Sequence, residues 1–193
     1  MDLFGFIPTF NGNYKAKYIR MNPLARTPVR STPGSAGYDM SVCMEVDPEL
    51  ENSPFSSIEM NQISIFDGSV YLQKNGYIKC ASGIILMPDR TVKVHTGIKM
   101  EIPKGYCGLL MNRSSLANNS RLTLCDNVGL IDSDYRGEIT LKLHNGSDSI
   151  RFIMNSERVC QMVFIKYSEL AFDEVSHLSE SSRGEGGYGS TGR

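Results

Sequence analysis

The chain has 193 residues, 40% of them hydrophobic, and its 20 Lys and Arg against 21 Asp and Glu leave a formal net charge of −1. That length supports one domain with a real core, and so small a net charge draws neither nucleic acid nor an acidic membrane to the surface as a whole. The five cysteines are scattered, with no C-x-x-C pair to suggest zinc, so reduced thiols and a cytoplasmic or nuclear, non-secreted location are expected.

The opening MDLFGFIPTF lacks the basic start and long apolar core of a signal peptide, and no apolar run nears the roughly 18 residues of a membrane span. Residues 48–82 differ from their surroundings: polar, turn-rich PELENSPFSSIEMN precedes QISIF-DGS-VYLQ-KNG-YIKC, the pattern of a small meander with an Asp-Gly turn. TVKVH and GIKMEIP then alternate as two half-buried strands. SSLANNSRL is the one helix candidate, with Ser114 placed to cap its first turn. In EITLKLH, Ile139, Leu141 and Leu143 alternate with Thr140, Lys142 and His144, and RVCQMVFIKY reads as a longer apolar strand. Turn signals (PKGY, DSDYRG, HNGSD) punctuate these segments, so an all-β barrel or sandwich is predicted. SELAFDEVSHLSESS connects the last strand to the end, and from Tyr167 to Arg183 it could span up to roughly 50 Å if extended.

Three segments carry chemistry. NVGLIDSDYRGEI, residues 127–139, gathers Asp132, Asp134, Tyr135, Arg136 and Glu138 around Gly129 and Gly137; it is either a charged β-turn or a reactive site. MNRSSLA sets Arg113 beside Ser114 and Ser115, which suits phosphate at a helix start and equally suits simple capping. RGEGGYGSTGR places glycine at five of its eleven positions. It is a loose terminus or a stretch whose N–H groups approach phosphate where no Cβ intervenes. His95, His144 and His177 are not expected to be catalysts.

Taken together, five ordered segments resemble the trimeric deoxyuridine triphosphatase (dUTPase) family: GSAGYDM at 34–40, NRSSLA at 112–117, NVGLIDSDYRGEI at 127–139, ERVCQMVF at 157–164 and RGEGGYGSTG at 183–192. The third and fifth are the specific ones. The resemblance runs from about Lys15 onward and implies a distorted jelly-roll β-barrel with one short helix and a flexible C-terminal tail. Its implied layout is an N-terminal extension (1–13), a barrel (14–167) with an insertion near 48–82, a connector (168–182) and a Gly-rich lid (183–193).

The implied activity is hydrolysis of dUTP to dUMP and pyrophosphate with Mg²⁺, which lowers dUTP and supplies dUMP for thymidylate synthesis. Asp132 matches the family's general base for the attacking water, and Arg158 the residue that supports the catalytic carboxylate. Arg113, Ser114, Ser115 and Gln161 match phosphate contacts, and Asp39 the carboxylate near Mg²⁺, mainly through bound water. Asn127, Gly129 and the rest of the third motif resemble the uracil slot, with Tyr135 the platform under deoxyribose. In the tail, Tyr188 stands where Phe is common, stacking over uracil, and Arg183, Gly187, Ser190 and Thr191 would cover the β- and γ-phosphates. Ordering about ten such residues costs on the order of 10–20 kcal/mol, so the resemblance implies a lid ordered by nucleotide. It also implies a homotrimer whose sites are shared between subunits.

The chain departs from the family in three places. Asp39 and Arg113 stand 74 residues apart, where the family needs about 40, and an insertion of that size costs little in loop-closure entropy. It could be a neutral loop or a surface for a protein partner. Asp126 occupies a place that is often Asn, with Asn127 next, so either Asn127 substitutes or Asp126 points away. Ser115 replaces a common Gly. Rival readings are a dCTP deaminase of the same fold and a nucleotide-gated regulatory protein using the insertion.

Overall fold

The computed structural model of the chain describes residues 14–43, 77–80 and 83–187. In chain order its elements are β1 Lys17–Arg20, β2 Tyr38–Ser41, β3 Tyr77–Cys80, β4 Gly83–Leu86, β5 Thr91–Glu101, β6 Tyr106–Asn112 and α1 Ser114–Ser120. There follow β7 Leu122–Leu124, β8 Val128–Ile131, β9 Glu138–Asn145, β10 Arg151–Met154 and β11 Arg158–Lys166. The strands form three antiparallel sheets ordered β1-β5-β9-β7, β10-β4-β3 and β2-β11-β6-β8. Among the described residues this is the all-β jelly-roll architecture with one short helix that the resemblance implies. Most of the expected 48–82 insertion, QISIF and VYLQ included, lies outside the described residues; of it, Tyr77–Cys80 pairs with β4.

Period-two alternation builds the core. Ile139, Leu141 and Leu143 of β9 point inward with Val92, Val94 and Ile98 of β5, and one cluster joins them to Leu110, Val159, Met162, Ile84, Leu86 and Ile153. The two strands read from TVKVH and GIKMEIP are in fact one continuous strand. Its pairing with β9 is interrupted between His95 and Lys99, where Thr96, Gly97 and Ile98 are all buried. Gly97 takes a φ of 66° there, a left-handed conformation open to glycine, so the strand absorbs two extra residues as a bulge instead of ending.

The next inward position on β9 after Leu143 is the polar Asn145, which is fully buried. Its amide nitrogen donates to the carbonyls of Leu86 (3.1 Å) and Ser149 (2.9 Å), and its oxygen accepts from the Ser147 N–H (3.1 Å) and hydroxyl (2.7 Å). One side chain thus ties β4 and the 146–149 turn to β9. Asn145→Ala strands several of these groups without partners, and is expected to lower the unfolding free energy by about 3 kcal/mol in chemical denaturation. A loss below about 1 kcal/mol would show that the network ties nothing together.

Candidate active site

The first group of predicted residues gathers where β2, β11 and β6 end. Antiparallel register puts Gln161 opposite Asp39 on one side and Met111 on the other. Asp39 is buried and both oxygens of its carboxylate have partners. Arg113 Nε lies 3.0 Å from Oδ1 and Arg158 Nη1 lies 2.9 Å from Oδ2, while the Ser31 hydroxyl donates to Oδ2 at 2.9 Å. Arg113 Nη1 also donates to the carbonyl of Arg158 at 2.7 Å. One carboxylate and two guanidinium groups leave this cluster with a net charge of +1, which favours an anion.

One assignment changes here and one contact is added. Within one chain Arg158 is bonded to Asp39, because the β2–β11 pairing delivers it there. Ser114 is not the helix cap: α1 begins on it, and Arg113 holds the cap position with an extended φ and ψ and no side-chain capping bond. The Arg113 side chain has no acceptor and is drawn to Asp39 instead. Ser114 and Ser115 therefore stand in the first turn, where N–H groups lack partners within the helix. Gln161 donates to the Asn112 carbonyl at 3.1 Å, which commits one of its two amide hydrogens. It also packs on Gly37, where a Cβ would fall 2.6 Å from Oε1. Cys160 shares this corner as a protonated, inert thiol: burial, with the Asp39 charge adding, pushes its pKa up to about 12.

The second group is the turn between β8 and β9. Asn127 precedes β8 with a φ of 57° and is exposed, as is Asp126. Gly129 faces Leu110, whose side chain would lie 3.3 Å from an added Cβ. Asp132 follows the strand, exposed, with no ion pair or side-chain hydrogen bond among the described residues. The turn beneath it is braced from within. The Tyr135 N–H donates to the Asp132 carbonyl (3.2 Å), and Arg136 Nη1 folds back onto the carbonyls of Ser133 (2.7 Å) and Tyr135 (2.9 Å). The Tyr135 hydroxyl donates to the Glu138 carbonyl at 2.9 Å, and the ring lies so close over Gly137 that a Cβ there would collide with the hydroxyl oxygen. Beside the turn is an open cleft of about 680 Å³ whose lining includes Asp132, Asp134, Arg136, Glu101, Lys104 and Tyr167.

A single chain does not bring the two groups together. Met111 pairs with Val128 and Gly108 with Ile131, so Arg113 and Asp132 leave opposite ends of the β6–β8 ladder. About six residues of strand, roughly 20 Å, separate them. The connector makes no use of its own apolar groups either: Leu170, Phe172 and Leu178 are 75%, 95% and 88% exposed. Arg183 and Gly187 are exposed at its end. Tyr188, Ser190 and Thr191 lie outside the described residues.

Nor do the described residues gather a set of direct metal ligands. No group of three or more His, Cys, Asp or Glu side chains converges among them, and both oxygens of Asp39 already face guanidinium groups. The donor set does not fit direct ligation of Mg²⁺. Sequence reasoning missed Ser31 and Asn112, the hydroxyl and carbonyl that complete the first group. Their signal is a register between distant strands that no local pattern announces.

Comparison with known proteins gives the family. The dUTPase family model matches residues 74–192. The chain is 42% identical over 108 residues to the deoxyuridine 5'-triphosphate nucleotidohydrolase of Escherichia phage T5, covering 55% of this chain and 72% of that protein. Among solved structures, the Staphylococcus bacteriophage 80alpha dUTPase with dUPNHPP superposes with a TM-score of 0.65 at 20% identity, covering 93% of this chain and 99% of that one. A mutant dUTPase from phage phi11 of S. aureus, described as revealing the coordination of a structural Mg(II) ion, gives a TM-score of 0.59 at 19% identity, over 84% and 97%. At these identities the two structures speak for the fold alone.

Proposed function

The chain belongs to the dUTPase family and is a dUTP diphosphatase; from that premise we propose that it cleaves dUTP to dUMP and pyrophosphate by in-line attack of a water on the α-phosphorus, with Asp132 as the base. The observation that carries this assignment is the contrast between two carboxylates. Asp39 is buried and bound on both oxygens, whereas Asp132 is exposed and makes no ion pair among the described residues. Of the two, Asp132 has the carboxylate that is not held by cations and so is free to orient a water and accept its proton. In-line transfer asks the protein mainly for position and charge. Arg113 and Arg158, Ser114 and Ser115 with their first-turn N–H groups, and the second amide hydrogen of Gln161 would hold the phosphates. Asn127, Gly129 and the main chain of the β8–β9 turn would read uracil, with Tyr135 under the sugar. Cytosine reverses the donor and acceptor pattern of that edge, and such mispairing can discriminate by about 10⁴-fold or more. Magnesium, when bound, would supply positive charge to the triphosphate, and Asp39 would reach it at most through water.

The separation of Arg113 from Asp132 and the exposed Leu170, Phe172 and Leu178 support a homotrimer. One subunit would supply the arginines, another the Asp132 turn, and a connector would carry Arg183 and Gly187, with Tyr188, Ser190 and Thr191 beyond, to a neighbour's site. A three-chain mass in solution is expected, and a monomeric mass at working concentration would refute the shared site. Pyrophosphate release should be far faster from dUTP than from dTTP, dCTP or UTP, and should depend on Mg²⁺. Ammonia release from dCTP, or equal rates on all four nucleotides, would overturn the assignment.

A further inference from the structure

The turn that carries Asp132 and Tyr135 is anchored to the rest of the barrel in an unusual way. Its last residue, Glu138, opens β9 where the bulge in β5 breaks the ladder between His95 and Lys99. Side chains bridge the gap. Glu138 Oε1 accepts the N–H of the buried Gly97 at 2.8 Å, and Oε2 meets His95 Nδ1 at 2.7 Å. The Thr96 hydroxyl donates to the Ile139 carbonyl at 2.6 Å. The Glu138 side chain is only 16% exposed, so the carboxylate is a built-in fastening and not a solvated surface charge. The main-chain carbonyl of the same residue receives the Tyr135 hydroxyl. A continuous path therefore runs from the His95 ring and the Gly97 N–H, through Glu138, to the exposed ring of Tyr135.

We propose that Glu138 is a positioning and specificity-determining residue: its carboxylate, clamped on the bulge, fixes the seat of Tyr135 and so sets how strictly the site separates deoxyribose from ribose. A ring held at one height leaves no room for a 2′-hydroxyl. When the carboxylate is removed, Gly97 loses its acceptor, the start of β9 relaxes, and the ring gives way to the extra oxygen. His95 contributes from the outer side by holding Oε2, which keeps Oε1 aimed at Gly97. The inference rests on the proposed use of Tyr135 as the sugar platform.

The test compares kcat/KM for dUTP and for UTP in wild type, Glu138→Ala, Glu138→Gln, Tyr135→Phe and the Glu138→Ala/Tyr135→Phe double variant, with thermal melting and solution mass as controls. Glu138→Ala should reduce the dUTP-to-UTP ratio by about tenfold or more, with a higher KM for dUTP and a gain on UTP. Glu138→Gln keeps an oxygen for the Gly97 N–H and should stay within about threefold of wild type. In the Tyr135→Phe background, which lacks the hydroxyl link, removing the carboxylate should change the ratio by less than about twofold. A folded Glu138→Ala protein with an unchanged ratio, or the same drop in both backgrounds, overturns the inference. Should Glu138→Ala fail to fold, His95→Ala decides, since His95 is half-exposed and the Gly97 bond survives its loss: about a threefold fall in the ratio supports the role, and no change refutes it. A wild-type enzyme that turned over dUTP and UTP equally would instead defeat the platform reading itself.

Discussion

Asp132→Asn is expected to lower kcat for dUTP by about 10³-fold, within the range that a positioned proton acceptor contributes, while KM stays within a few-fold of wild type. Asparagine has the same shape and one oxygen that can still orient a water, but its amide cannot take the proton as the α-phosphorus is attacked. The substitution should leave the fold intact. Asp132 is exposed, and the hydrogen bond that shapes its turn uses its main-chain carbonyl, donated to by the Tyr135 N–H. An unchanged melting temperature with a collapsed kcat isolates the chemical role. A kcat within tenfold of wild type in a folded protein would remove Asp132 from the mechanism, and with it the distinction drawn between the free and the bound carboxylate.

How much of this was legible in the sequence depended on sequence distance. Asp132, Tyr135 and Gly137 lie within one turn, and Arg113 adjoins Ser114 and Ser115, so both groups could be read as contiguous motifs. The strand alternation of β9 was equally plain, because Ile139, Leu141 and Leu143 repeat at a period of two. Partnerships made across register were not legible. Arg158 meets Asp39 over 119 residues and His95 meets Glu138 over 43, and nothing local to either partner announces the other. The same blindness hid the Asp39 contact of Arg158 within the chain. The β5 bulge hid differently, by breaking the alternation that identifies a strand, so one strand read as two. Ser114 looked like a cap because its residue type favours that position, but Arg113 took the place once tertiary charge pairing claimed its side chain.

Asp39→Asn tests the other half of the site. The carboxylate separates two guanidinium groups that would otherwise face each other, and an amide puts a neutral group with one acceptor in its place. At contact distance each ion pair is worth up to about 4 kcal/mol in a partly screened environment. The Arg158 side chain is 48% exposed, however, against 21% for Arg113, so water screens the Arg158 share well below that figure. A modest stability loss of about 1–3 kcal/mol is therefore expected, with the Arg113 contact dominating. The effect on activity should be larger than the effect on folding. If the arginines splay by even an ångström, the phosphates are held out of line with the attacking water, and misplacement of that size can cost about 10²-fold in kcat/KM. Magnesium gives the decisive readout. Because both oxygens of Asp39 are occupied by Arg113, Arg158 and Ser31, the Mg²⁺ concentration for half-maximal turnover should stay within about twofold of wild type while kcat/KM falls. Binding of a non-hydrolysable dUTP analogue in the presence of a chelator should weaken in parallel, since the arginines and not a metal link are what the substitution disturbs. A tenfold rise in the Mg²⁺ requirement with chelator-independent binding preserved would make Asp39 a partner of the cation after all, and the +1 cluster an incidental one.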